Sequence, residues 1–402
     1  MRRAAIVSPI RTPVGRFLGT LASVPAGELG AIIIRALMER SGIDPERIDD
    51  VVFSQGYGNG EAPAIGRWSA LAAGLPVRVP GYQLDRRCGS GLQAVVDAAM
   101  MVQTGAADVV LAGGVESMSQ VEHYTLQGRT GNKLGAIELH DRLTRGRLMS
   151  QPIERFGVIT GMIETAENVA KDNGITREAS DAYAVRSHRN AAAAWEAGKF
   201  DAEIVPVDVP QRRGDPVRFA KDEGFRSDAS IETLGALRPL EGGVVTAGNA
   251  SQQNDAAAAC LVVAEDKLSE LGLEPMAYLH SWAAAGCEPS RMGIGPVPAT
   301  KRVFDRSGLG WDDIGLVELN EAFAPQVLGV LKQWGWSEDD SRLDMLNVNG
   351  SGISLGHPIG ATGIRILATM LHEMERRQVR YGLETMCIGG GQGMAAIFER
   401  AA

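Results

Sequence analysis

The residues Glu39 to Phe53 lie without a gap on Asp305 to Leu319, and five positions coincide: Arg40 with Arg306, Ser41 with Ser307, Gly42 with Gly308, Ile48 with Ile314 and Val51 with Val317. Each copy reads as the end of a helix, a Gly stop, a turn and a short buried strand. A Gly-rich turn, a helix and another strand follow in both, the second strands being 108–114 and 384–390. Cys88 precedes the first of these helices and His357 the second, at 48 positions past Arg40 and 51 past Arg306. Two similar α/β units sharing one active site are the simplest reading. Alternating strands and helices predict mostly parallel sheets covered by helices, with ligands gathered at the carboxyl ends of strands.

Between the copies lies a different region. It opens with Arg-rich sequence (129–155), continues through helical stretches at 164–172 and 178–197, and ends in a charged segment at 211–228. This predicts a first half of residues 1–119 plus 242–268, an inserted loop domain of 120–241 that binds substrate, and a second half of 269–402. Of the 402 residues 45% are hydrophobic and 22% charged, and the formal charge is −9. That balance speaks against general nucleic-acid or anionic-membrane partners, which need a basic surface. The opening Met-Arg-Arg-Ala-Ala-Ile-Val stops at Ser8-Pro9 and reads as a first buried strand rather than a signal segment. The longest apolar run, 256–264, is far too short to cross a membrane. Four cysteines without a Cys-x-x-Cys pair make neither a disulfide framework nor a zinc site, and a cytoplasmic protein is expected.

The chemistry concentrates in four places. Cys88, in Arg-Arg-Cys-Gly-Ser-Gly-Leu-Gln-Ala, sits just before a helix predicted over 91–101, whose free N–H groups favour a thiolate. The competing dinucleotide pattern Gly89-Ser-Gly91-Leu-Gln-Ala94 is weak, because Asp108 opens its strand where a ribose-binding acid should close one. His357 lies among five glycines in 347–363, too many for an ordinary strand, so backbone must approach something closely there. His123, His140, His188 and His372 read as solvated surface and His280 as a core residue. Cys387 ends a strand before Gly389, Gly390 and Gly391, whose N–H groups could hold an oxyanion. Asn320 follows the strand 315–319 and either orients water or starts an Asx turn. Two thiols and an imidazole suit covalent acyl transfer, with one thiolate taking the acyl group and the other groups managing protons.

These motifs resemble the thiolase family, the acetyl-CoA C-acyltransferases and acetyltransferases, over essentially the whole length. Seven ordered pieces carry the likeness: Cys-Gly-Ser-Gly-Leu-Gln-Ala from Cys88, Gly-Gly-Val-Glu-Ser-Met from Gly113, Thr-Ala-Glu-Asn-Val-Ala from Thr165, Thr-Ala-Gly-Asn-Ala-Ser from Thr246, Asn-Glu-Ala-Phe-Ala from Asn320, Gly-His-Pro-Ile-Gly from Gly356 and Cys-Ile-Gly-Gly-Gly-Gln-Gly from Cys387. The resemblance implies a duplicated, five-layered α-β-α-β-α core with an inserted loop domain, assembled as a homodimer or homotetramer. It implies that Cys88 attacks a 3-oxoacyl-CoA with help from His357, that Cys387 protonates the departing acetyl-CoA enolate, and that free CoA collects the acyl group. Oxyanions would be held by His357 with a water on Asn320, and by the N–H groups of Cys88 and Gly389. Ser251 and Arg226 match positions that touch CoA, and Met162 and Phe323 match walls near the acyl group. No metal or redox cofactor is implied; CoA is a substrate.

Three departures bear on specificity. Gly161-Met162 stands where short-chain biosynthetic thiolases carry His-Met, Asn349-Gly-Ser-Gly-Ile-Ser replaces Asn-Gly-Gly-Ala-Ile-Ala, and Ser251-Gln-Gln-Asn replaces Ser-Gly-x-Asn. The missing imidazole points to a degradative enzyme of fatty-acid or related β-oxidation that accepts more than acetoacetyl-CoA, a short-chain biosynthetic acetoacetyl-CoA enzyme being the alternative. A ketoacyl synthase would pair Cys88 with two histidines or His-Asn, which Cys387 argues against. A non-catalytic thiolase-like acyl- or lipid-binding protein would have lost one of the four reactive residues, and all four are present.

Overall fold

The computed structural model describes residues 2–337 and 339–401. The first half supplies strands β1 (Ala4–Arg11), β2 (Asp50–Ser54), β3 (Tyr82–Leu84), β4 (Val109–Ser117) and β5 (Asn254–Ala264). The second supplies β6 (Ala277–Gly286), β7 (Ile314–Leu319), β8 (Tyr381–Ile388) and β9 (Gln392–Arg400). The principal helices are α1 (Ala26–Ser41), α2 (Ile65–Ala73), α3 (Ser90–Thr104), α4 (Met162–Asn173), α5 (Arg177–Glu196), α6 (Pro296–Ser307), α7 (Ala324–Gln333) and α8 (Thr362–Arg377).

The repeat is structural. Gly42 and Gly308 end α1 and α6 in the left-handed conformation, at φ +66° and +72°, which glycine adopts without steric cost. A single 3-10 turn then leads to β2 and to β7. Ile48, Val51, Ile314 and Val317 are all buried. The helix expected over 91–101 runs from Ser90 to Thr104, one residue closer to Cys88.

The strands run in the order β7-β8-β9-β6-β1-β5-β4-β2-β3, so each half contributes one contiguous block, and the blocks join where β1 meets β6 through Ala5, Ile6, Ala277 and Tyr278. The expectation of mostly parallel pairing is corrected: β7 with β8, β4 with β2 and β2 with β3 are parallel, and the other five neighbouring pairs are antiparallel. The reason is connectivity. The last strand of each half returns alongside its predecessor in the sheet, so only the strands joined through helical crossovers stay parallel.

Side-chain alternation sorts the layers. Ala4, Ile6, Val110, Ala112, Cys260 and Val262 from the first block and Met386, Ile388, Met394 and Phe398 from the second face the pair α3 and α8. Ala5, Val7, Leu111, Leu261 and Val263 face α1 and α2. Val317, Leu319, Leu383 and Ile397 face α6 and α7. The order is therefore helices, sheet, helices, sheet, helices, a duplicated five-layer α/β core whose central helices carry the two chemical groups at their N-termini.

Candidate active site

Glycine brings the halves together at the site. A Cβ on Gly363 would lie 2.0 Å from the Leu92 nitrogen, and one on Gly91 would lie 2.8 Å from the Gly363 nitrogen. Backbone therefore touches backbone where α3 and α8 begin, which no side chain would permit. Cys88, two residues before α3, and His357, five before α8, face one cavity of about 310 Å³.

Cys88 lies on the tight turn Arg87–Gly89. Arg87 has φ +47°, strained for a residue with a side chain, and its amide is held by Asp85 Oδ1 at 2.6 Å. Burial pushes the Cys88 thiol up, while the Gly389 N–H aimed at its sulfur and the Arg87 guanidinium pull it down. The helix N-terminus alone suggested a resident thiolate; burial outweighs it, and the resting group is a thiol that needs a base.

His357 has the geometry of such a base. Thr362 gives its only hydroxyl proton to the Pro358 carbonyl at 2.8 Å, so across the 2.7 Å contact it accepts from the His357 Nδ1–H. Nε2 is left as the bare lone pair, without a partner among the described residues, on the cavity that Cys88 also lines. The His357 amide donates to Asn254 Oδ1 at 2.9 Å, which fixes the loop. Burial, then Arg365 and Arg147, push the imidazole down to about 3, so it is neutral at physiological pH.

Cys387 is the penultimate residue of β8 and has no exposure, packed in a cluster with Met292, Phe323 and, at its margin, Met162. Burial first, then the neighbouring Cys88 and Cys287, hold its thiol well above the ordinary range, a proton donor at neutral pH. Gly390 and Gly391 follow at φ +85° and +83°, turning the chain so that Gly389 presents its N–H to Cys88. Asn320 is fully buried after β7. Its amide donates to the Thr385 carbonyl at 3.0 Å, while both side-chain polar atoms have no partner among the described residues. A buried carboxamide in that state demands a water or ligand.

Met162, Ser251 and Phe323 line the main cavity, and the Ser251 amide is tied to the Ala322 carbonyl at 2.9 Å. Arg226 is not on its wall. It is exposed, and its backbone amide donates to His188 Nδ1 at 3.2 Å. That contact corrects another expectation: His188 is buried, not solvated, and burial lowers it to about 4. His280, expected in the core, is exposed with its ring edge-on to Tyr381.

The sequence reading passed over three residues. Glu116, inside the Gly-Gly-Val-Glu-Ser-Met motif, is fully buried. It accepts the amides of Gly56, Tyr57 and Gly360 at 2.9, 3.3 and 3.0 Å, clamping the His357 loop to the first half. Thr362 and Arg147 also went unnoticed. Thr362 sits five residues past His357, a spacing that could have suggested a ring-holding partner; Arg147 was hidden in a generally basic stretch.

A buried thiol, a neutral imidazole with a bare nitrogen, a second thiol and amide donors define an enzyme of covalent acyl transfer. The chain belongs to the thiolase family: residues 4–266 match the thiolase N-terminal domain and 273–400 the thiolase C-terminal domain. It is 48% identical over 405 residues to an acetyl-CoA acetyltransferase of Cupriavidus necator, covering 100% of both chains, and 45% identical to one of Escherichia coli with the same coverage. Among solved structures it is similar to the Bacillus anthracis acetyl-CoA acetyltransferase, with a TM-score of 0.94 at 40% identity over 100% of this chain and 99% of that one. It is also similar to human mitochondrial 3-ketoacyl-CoA thiolase in complex with CoA, with a TM-score of 0.92 at 36% identity over 100% and 98%. The protein is an acyltransferase that carries out thiolase chemistry.

Proposed function

We propose that this chain cleaves 3-oxoacyl-CoA with CoA in the degradative direction, using Cys88 as nucleophile. The observation that carries the assignment is the bare Nε2 of a neutral His357 facing the same cavity as the Cys88 thiol. The sulfur adds to the 3-oxo carbon as its proton passes to Nε2, and the resulting alkoxide is held by the Gly389 and Cys88 N–H groups. Collapse breaks the C2–C3 bond, and the departing enolate of acetyl-CoA takes the proton of Cys387. CoA then enters, loses its thiol proton to the Cys387 thiolate and attacks the Cys88 thioester. The enolate oxygen is held by the imidazolium and a water on Asn320, the oxyanion of the second adduct, on the same acyl oxygen, returns to the Gly389 and Cys88 N–H groups, and Cys88 regains its proton from His357. Every atom balances with these side chains and CoA alone, so no metal or redox cofactor is required. Ser251 on the cavity wall and Arg226 outside it are proposed to hold the pantetheine and nucleotide ends of CoA, and Met162 and Phe323 to border the acyl group.

Gly161-Met162 in place of His-Met supports substrates beyond acetoacetyl-CoA. A short-chain reading is favoured by one feature, the smallness of the second cavity beside Cys88, about 40 Å³. Measuring kcat/KM for thiolysis across a graded 3-oxoacyl-CoA series separates them. A maximum beyond four carbons supports the degradative reading, and activity confined to acetoacetyl-CoA overturns it. We assign a homo-oligomer, supported by the open edge strand β3 and the exposed Leu126, Leu134, Ile137 and Leu139. A cytoplasmic setting is supported by four free thiols.

A further inference from the structure

Enclosed carboxyl groups in this protein are supplied with hydrogen-bond donors. Glu116 takes three amides, Glu203 takes Arg11 and the Thr369 hydroxyl, Glu321 takes the hydroxyls of Tyr183 and Ser187, and Glu373 takes Asn349, Arg376 and Arg377. Glu318 of β7 and Glu384 of β8 are different. They are 1% and 0% exposed, and all four of their carboxyl oxygens lack a partner among the described residues. A buried polar group in that state is expensive, and a buried charge more so.

The two are neighbours. Glu318 and Glu384 are direct partners in the parallel β7–β8 ladder, on strands about 4.8 Å apart, and alternation puts both on the face toward α8, opposite Val317, Leu319 and Leu383. Arg365 of α8 is a cation whose charge reaches both. It is fully buried, its Nη2 donates to Ser351 Oγ at 3.5 Å, and its Nε and Nη1 have no partner among the described residues. The other charged groups that reach Glu318 are Glu321, Glu203 and Glu373, all acidic. Arg11 and Asp222 act on Arg365, and Cys260 of β5, near Glu384, is a thiol that burial keeps protonated. From α3 and β9 the layer receives apolar side chains, among them Val95, Val96 and Ala396. Two carboxylates against one guanidinium leave an excess negative charge in a layer closed to water, and like charges on one rung do not both ionise. A protonated carboxyl is a donor as well as an acceptor, so a single proton removes the excess and bridges the pair.

We propose that Glu318 and Glu384 form a proton-binding site in the core, one proton shared between the two carboxyl groups and the remaining charge balanced by Arg365. The proton is taken from solvent as the chain folds, and the O–H of one carboxyl donates to the other. The site stands directly behind the reaction centre. Just beyond the pair the Asn320 amide donates to the Thr385 carbonyl at 3.0 Å, and Cys387 lies two residues past Thr385 on the same strand. The shared proton thus joins β7 to β8 where they deliver Asn320 and Cys387, whereas two carboxylates there would repel and part the strands. Burial holds both groups well above the ordinary 4.5, and the charge of Glu318 lifts Glu384 further. Above about that pH the folded chain keeps a proton that the unfolded chain releases, so the pair's contribution to stability is complete below it and declines as pH rises.

The test uses the full-length enzyme and Glu384→Gln, whose amide keeps the shape and hydrogen-bonds without ionising, leaving Glu318 as a carboxylate beside Arg365. Urea titration gives the unfolding constant of each. The parent-to-variant ratio of these constants should rise about tenfold per pH unit between about pH 5.5 and 7.5. Infrared difference spectra at about pH 8, where free carboxyl groups are ionised, should show a protonated-carboxyl band in the parent that Glu384→Gln lacks. Glu318→Gln should reproduce both results, and serves if Glu384→Gln does not fold. If neither variant folds, the parent spectrum decides alone, a protonated-carboxyl band supporting the site and its absence overturning it. A ratio independent of pH, or a band that persists unchanged in a folded variant, also overturns the inference. Neither readout involves turnover, so the result stands apart from the thiolase reading.

Discussion

Thr362→Val isolates the contact that, in the proposed mechanism, leaves His357 Nε2 free to act as a base. The hydroxyl of Thr362 is fully buried, accepts the Nδ1–H at 2.7 Å and gives its own proton to Pro358 at 2.8 Å. Valine keeps the shape and removes the acceptor. A buried donor left without its partner costs about 1–3 kcal/mol, which here falls on the tautomer carrying its proton on Nδ1. The other tautomer places the proton on Nε2 and has no lone pair for the Cys88 thiol. Converted at about 1.4 kcal/mol per factor of ten, the acylation step should slow by about 5- to 150-fold. Rapid-quench measurement of Cys88 acylation by acetoacetyl-CoA reads that step directly, and Thr362→Ser should recover most of the rate. An unchanged acylation rate in folded Thr362→Val would refute the tautomer argument.

Further outcomes follow from the same geometry. Cys88→Ser should lose acyl transfer by a factor on the order of 10³ or more while its thermal melt stays close to the parent's, since hydroxyl replaces thiol at a site whose packing is unaltered. Cys387→Ala should block carbon–carbon cleavage yet still allow exchange of labelled CoA into an acyl-CoA through Cys88; equal loss of both activities would contradict separate roles. Gly363→Ala places a Cβ 2.0 Å from the Leu92 nitrogen and should destabilise the fold by about 1–3 kcal/mol in urea titration, whereas Gly389→Ala, with Arg87 and Met162 at 3.4 and 3.6 Å, should fold normally. His188 sits at about 4 in the folded protein against 6.5 for a free imidazole, so between those values the unfolded chain holds the extra proton. Its contribution to stability is complete above about pH 6.5 and is lost as pH falls toward 4. The melting temperature of His188→Asn should therefore decline less than the parent's between pH 7 and 5.

Much of this was legible in the residues, for physical reasons. Gly42 and Gly308 marked equivalent helix ends because only glycine takes that conformation cheaply, and the apolar strands that follow had to be buried. Cys88, His357 and Cys387 stand out in the sequence because reactive side chains set among glycines are conspicuous, and Asn320 because it follows a predicted strand. What escaped depends on distant neighbours. The mixed strand directions follow from which strands end up adjacent, and single-strand patterns do not carry that information. The neutral thiol of Cys88 reflects burial beneath the loop around Arg147 and Met162, which helix-end reasoning omits. Nothing local in the sequence marks Glu116, because its partners Gly56 and Gly360 converge on it from two halves of the chain. His188 looked solvated because polar residues flank it in sequence, although its helix face turns inward.

In the proposed mechanism the acyl group rides on Cys88. The direct measurement is to quench the enzyme within one turnover of a 3-oxoacyl-CoA and locate the added mass by peptide analysis. The expected result is one acyl group on the Cys88 peptide and none on the Cys387 peptide. An acyl group on Cys387, or turnover without any acylated cysteine, would contradict it.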